Sequence, residues 1–226
     1  YYLASSKGVR QLWRLDPATK KRETLSDLPL DIVCFEIGPD GHTTILSLPV
    51  FPGKTPAQTK TVVDDPSNRG HKGRGRLFDR IPVRHWDEWR DGTRNHLFVY
   101  DLGKKTLRDL MTDMDTDCPI RPFGGTEDFS LSPDGRVVVF AAKNPGKDEA
   151  WSTNTDLYQV PTDGSSPPVR ISTNPAADLA PRFSPDGLTL AYLAAGRPGH
   201  EADRLRVVLR SLETGKERLL DLRADD

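Results

Sequence analysis

Apolar positions along this chain come in short runs separated by Gly, Pro, Asn and Asp. Val137 to Ala142, Leu188 to Ala194 and Leu205 to Leu212 show the pattern. Runs this short, closed by turn residues, predict β-strands rather than helices. Three related segments recur: Phe35-Glu-Ile-Gly-Pro-Asp-Gly41, Phe129-Ser-Leu-Ser-Pro-Asp-Gly135 and Phe183-Ser-Pro-Asp-Gly187. Each precedes an apolar run, the first being Thr43 to Leu48. Pro presets φ for the second turn position, Asp bonds its own backbone, and Gly takes the positive φ that follows. The unit therefore reads strand, tight turn, strand.

A second unit follows each of these. Leu97 to Asp101 leads through Gly103 to Leu107–Leu110, Asp156 to Val160 through Gly164 to Val169–Ile171, and Leu205 to Leu212 through Gly215 to Leu219–Leu222. This is a second strand pair around a Gly-containing turn. Leu12 to Leu15, Asp16-Pro-Ala-Thr19 and Glu23 to Leu25 repeat it at the start. The repeat is thus a four-stranded antiparallel meander, A-B-C-D. Gly135 and Gly187 are about 50 positions apart, the period of a propeller blade. Gly41 and Gly135 are nearly twice as far apart, which predicts one blade plus an insertion at Pro49 to His96, between strands B and C.

The expected fold class is all-β, an antiparallel β-propeller of four-stranded blades in an incomplete ring. The expected blade boundaries are 1–27, 28–111 with the 49–96 insertion, 112–173 and 174–226. That makes three full blades plus strands B, C and D of an earlier one. Rings close at about 4–8 blades, which protects their edges. Both ends stop inside the repeat, and Tyr1 is not an initiator Met, so a piece of a longer chain is expected.

Charge changes this picture little. The 32 basic and 33 acidic residues balance to a net charge of -1, which argues against nucleic acid as the main partner. No apolar run approaches membrane-spanning length. Cys34 and Cys118 are too few for a disulfide framework or a zinc site, and Cys34 is expected to pack as a small core residue. No cofactor is implied. The five His residues form no motif, and no Gly-x-Ser-x-Gly nucleophile turn, phosphate loop or zinc spacing occurs.

In an A-B-C-D meander the A–B and C–D turns share one face, and the B–C and D-to-A connections share the other. The long segments all belong to the second: the insertion, Lys143–Asn154, Gly196–Arg204 and Thr112–Thr126. Long irregular segments on a rigid scaffold are where binding residues concentrate. The insertion ends in Arg84-His85-Trp86-Asp87-Glu88-Trp89, which reads as a contact surface or as a self-packed loop. Glu127 and Asp128, after Gly124-Gly125, are expected at the start of an inner strand near the channel, pointing to opposite faces. One of them could bind a cation such as a peptide's amino terminus; the other reading is a carboxylate satisfying backbone donors at a blade junction. Lys72, Arg74, Arg76 and Arg80 read as a solvated basic loop.

Arg84-His85-Trp86-Asp87, Pro122 to Phe129, the Ser-Pro-Asp-Gly turns and Trp151-Ser-Thr-Asn-Thr-Asp156-Leu-Tyr158 together resemble the N-terminal propeller of prolyl oligopeptidase family serine peptidases. The likeness is greatest to the dipeptidyl-peptidase-V and acylaminoacyl-peptidase branch, and a bacterial source is expected. The resemblance implies a propeller of about seven blades and an α/β-hydrolase domain carrying a Ser-Asp-His triad. It also implies that the propeller admits short peptides and helps hold their N-terminal end. No triad residue lies in these 226 residues, so no catalytic residue is assigned. A substrate-binding or interdomain role carries over to Arg84, His85, Trp86, Glu127 and Asp128. The implied partners are short peptides and the chain's own hydrolase domain, with a homo-oligomer compatible. A periplasmic or secreted location goes with the first branch and a cytoplasmic one with the second. The alternative is a Tol-like propeller that binds a protein partner without catalysis.

Overall fold

A computed structural model describes residues 1–65, 78, 81–85, 88–143 and 149–220, leaving aside the side chains of His85 and Glu88. The first sheet contains β1 (Tyr2–Ser6), β2 (Val9–Leu15) and β3 (Arg22–Thr24). The second contains β4 (Phe35–Ile37), β5 (Thr43–Val50), β8 (Arg94–Asp101) and β9 (Thr106–Asp109). The third contains β10 (Phe129–Leu131), β11 (Val137–Ala142), β12 (Asp156–Pro161) and β13 (Val169–Arg170). The fourth contains β14 (Asp178–Phe183), β15 (Thr189–Ala194), β16 (Arg206–Ser211) and β17 (Glu217–Leu219). Every sheet is an antiparallel meander in chain order, and no described pairing joins the first sheet to the last. This is an open β-propeller.

The packing explains the apolar runs. In β11 both faces are covered. Val138, Phe140 and Ala142 enter a core with Ile45, Leu97, Phe129 and Val160 on the side of the second sheet. Val139 and Ala141 meet Leu157, Leu190, Tyr192 and Val208 on the side of the fourth. A strand buried on both faces has no polar side, hence Val-Val-Val-Phe-Ala-Ala. Each fully buried Val or Phe of the run contributes roughly 1.5–3 kcal/mol of burial. In β15 only Leu190 and Tyr192 are buried, and Ala191 and Leu193 are half-exposed on the far face. Cys118 lies in the first of these cores and Cys34 packs half-buried against it. Burial pushes the Cys34 thiol up to about 12 and the Cys118 thiol well above its ordinary value.

Two features depart from the pattern. β5 runs on to Val50 and β8 begins at Arg94, so the regular sheet extends into both ends of the 49–96 stretch. Between them lie a small hairpin, β6 (Arg84–His85) with β7 (Glu88–Trp89), and one helix, α1 (Pro56–Asp64). Thr55 and Gln58 form a reciprocal capping box at the start of α1, with Pro56 in the first turn. Among the described residues no helix is long and apolar enough to cross a membrane.

Candidate functional site

Three of the B–C and D-to-A connections, the insertion, Thr112–Thr126 and Lys143–Asn154, are joined by one ion cluster centred on a buried arginine. Arg94, only 5% exposed, stands where β8 begins. Its Nη1 and Nη2 donate to the two oxygens of Glu149 at 2.8 Å each, a bidentate pair. Nη1 also donates to Asp117 at 2.9 Å, and Nε to Asp115 at 2.8 Å. Arg90 adds a second cation to Glu149 at 2.8 Å, and Arg121 Nε lies 3.2 Å from Asp117. These three arginines and three carboxylates compensate one another. Burial alone would lower the Arg94 pKa, but its hydrogen bonds and the neighbouring charges raise it. Burial alone would raise that of Glu149, but Arg94 and Arg90 hold it down at about 2.

Each connection held by this cluster also presents an aromatic ring to solvent. Trp89, beside Arg90, is 50% exposed; Phe123, two residues past Arg121, is 70% exposed; Trp151, two residues past Glu149, is 76% exposed. Trp89 stacks on Phe78 at 5.8 Å, and the exposed Arg84 lies over its ring at 5.7 Å. Arg84 pairs with Trp89 across the β6–β7 hairpin. Trp86, Asp87 and the His85 side chain lie outside the described residues, as do Lys72, Arg74, Arg76 and Arg80.

Glu127 and Asp128 are not on a strand. They sit in a single 3-10 turn, Thr126–Asp128, immediately before β10. The physical reason is close approach at Gly124: a Cβ there would collide with the Asp128 carboxylate and the Ile120 backbone. Without one, Asp128 Oδ2 accepts from Ile120 N at 2.8 Å and the chain turns tightly. The two carboxylates differ in environment. Glu127 is exposed, whereas Asp128 is 6% exposed. Desolvation pushes the Asp128 pKa up to about 6, against the Ile120 N–H bond and with help from the Glu127 charge. Glu36, on the neighbouring inner strand β4, accepts from Leu131 N at 3.3 Å, and its pKa is also raised by burial.

Glu127 and Asp128 therefore share one turn, while Arg84 belongs to the hairpin within the insertion. No described group of three His, Cys, Asp or Glu could hold a metal ion.

No family model matches the chain. Dipeptidyl-peptidase 5 of Porphyromonas gingivalis is 33% identical over 190 residues, covering 82% of this chain and 26% of the relative. The chain is a propeller portion of a peptidase family. It spans about a quarter of the length of the curated relatives it matches. Among solved structures, Porphyromonas gingivalis dipeptidyl peptidase 4 matches with a TM-score of 0.54 and 14% identity, over 99% of this chain and 31% of that one. TolB from Acinetobacter baumannii matches with 0.52 and 15% identity, over 97% and 39%. These two likenesses show the propeller fold.

What sequence reasoning missed in this peptidase propeller is the Arg94 cluster. A signal was present. Arg94 begins a strand whose apolar stretch starts only at Leu97, and the next connection is acid-rich, Asp113-Met-Asp115-Thr-Asp117. Glu149 could not have been paired with it from sequence, because 55 residues separate them.

Proposed function

We propose that this chain is the gating and substrate-positioning part of a serine exopeptidase that acts on short peptides, of dipeptidyl- or acylaminoacyl-peptidase type. The observation that carries the reading is the 33% identity to a dipeptidyl-peptidase across 82% of the chain. The geometry supports it. A rigid ion cluster fixes loops that each display an aromatic ring, the composition of a contact surface. In this reading the face with Trp89, Phe123 and Trp151 meets the chain's own α/β-hydrolase domain, which carries the Ser-Asp-His triad in the full-length protein. Arg84 belongs to the same contact. The exposed Glu127 carboxylate accepts the amino terminus of a short peptide, and Asp128 shapes the turn beneath it.

Fluorophosphonate labelling of the full-length protein, read by intact mass, tests this. One covalent adduct is expected, with release of dipeptides or acylated residues from short peptides. No adduct and no cleavage would favour a binding propeller of the TolB kind.

A further inference from the structure

Arg182 stands one blade away from the Thr126–Asp128 turn. In β14 the pairing with β15 slips between Leu179 and Arg182, and Ala180 there has φ 51. Such a bulge re-aims the side chains that follow it. The Arg182 side chain crosses to the preceding blade. Its Nη1 donates to the carbonyl oxygen of Phe129 at 2.8 Å and to that of Glu127 at 3.2 Å. Nη1 also reaches the adjoining Pro181 carbonyl at 2.7 Å, and Nη2 donates to the Thr126 carbonyl at 3.1 Å. One guanidinium thus gathers three carbonyl oxygens from four consecutive residues.

The carbonyls at the end of a helical turn need donors from elsewhere. Among the described bonds, the turn's own are few: Asp128 N to Gly125 O at 3.1 Å and Ile120 N to the Asp128 carboxylate at 2.8 Å. The donors that complete it come from 53 to 56 residues away. A guanidinium can serve several acceptors at fixed angles, whereas an ammonium is a point charge on a flexible stem. Arg182 is itself exposed, beside the exposed Glu127.

We propose that Arg182 is the positioning residue of the amine-binding carboxylate. By pinning the Thr126, Glu127 and Phe129 carbonyls from the next blade, it holds Glu127 where the ammonium group of a short peptide binds. This rests on the reading of Glu127 given above. Blade-to-blade packing and substrate recognition are then coupled through one side chain.

The test uses the full-length protein with Arg182→Met, Arg182→Lys, Glu127→Gln and the Glu127→Gln/Arg182→Met pair. The substrates are a dipeptidyl 4-nitroanilide with a free amino terminus and its N-acetyl counterpart. Arg182→Met should raise KM for the free amine about tenfold with kcat within about twofold, the loss of a set of charge-assisted hydrogen bonds. Arg182→Lys should recover only part of this, because it keeps the charge and loses the fork. The double variant should be no worse than Glu127→Gln, since the two residues act as one unit. Turnover of any acetylated substrate should not change. Backbone amide exchange across 120–131 should accelerate in both Arg182 variants. Unchanged exchange there overturns the clamp, and faster exchange with unchanged KM overturns its role in recognition. A wild-type protein that cleaves neither substrate overturns the peptidase reading instead, and the exchange result still decides the clamp.

Discussion

The two faces of this propeller solve the same problem, satisfying polar groups where strands end, by opposite means. On the A–B turn face the partners are neighbours in sequence. Ser132 Oγ donates to Asp134 at 2.6 Å and accepts from Val137 N at 2.9 Å. Ser184 repeats this with Asp186 at 2.6 Å and Thr189 N at 2.9 Å. The hydroxyl bonds hold the Asp134 and Asp186 carboxyls below the usual range. In the first copy Gly38 replaces Ser, and Thr43 takes over by donating to Asp40 at 2.7 Å. On the loop face the partners are far apart: Arg94 reaches Asp115, Asp117 and Glu149 across 21 to 55 residues. Local bonds make each turn self-sufficient and repeatable. Long-range bonds are particular to each blade junction: the Arg94 cluster joins the second and third sheets, and Arg182 joins the third and fourth.

The largest expected break of this contrast is Glu149→Ala. It removes the bidentate partner of Arg94 but leaves Asp115 and Asp117 to compensate the charge, and should cost about 3 kcal/mol of stability, measured by denaturation of the full-length protein. A loss below about 1 kcal/mol would mean that the cluster behaves like a screened surface pair. Gly124→Ala comes next, at about 2 kcal/mol, because its Cβ meets the Asp128 carboxylate and Ile120 backbone. Melting of an Arg182→Lys background checks that this loss is confined to the turn.

The pH dependence of stability sharpens the comparison. Glu149 is held at about 2, below its unfolded value of about 4.3, so its contribution is full above that value and is lost as pH falls towards 2. Asp128 is pushed the other way, to about 6. Its contribution is full below about 3.9 and is lost as pH rises through 6. Asp128→Asn keeps an acceptor for Ile120 N and should flatten Tm between pH 4 and 6 without touching the acid limb. The smallest effect is expected on the turn face. Gly135 has φ 74, and Gly135→Ala should cost about 1 kcal/mol there. An effect as large as that of Glu149→Ala would erase the distinction between the faces.

Much of the fold was legible because its signals are local. The three Pro-Asp-Gly turns, the downstream hairpins and the doubly buried Val137–Ala142 run each state their own structure within a few residues. The start of the helix Pro56–Asp64 is local too, written in the capping box Thr55-Pro-Ala-Gln58. Glu127 and Asp128 stand at the entry of β10 but form a turn and not strand for an equally local reason: Gly124 admits the Asp128 carboxylate, and the backbone turns before β10 begins.

The sequence by itself determined the strands, their turns and the meander, since period, turn chemistry and apolar runs act over a handful of bonds. It also carried the likeness to peptidase propellers in segments that could be read directly. Only the tertiary structure decided which charges meet. Arg94 with Glu149, and Arg182 with the carbonyls of Thr126, Glu127 and Phe129, join groups from different blades, and their energies depend on burial and distance created only when the sheets pack. A charge in a sequence has no dielectric environment until the fold supplies one.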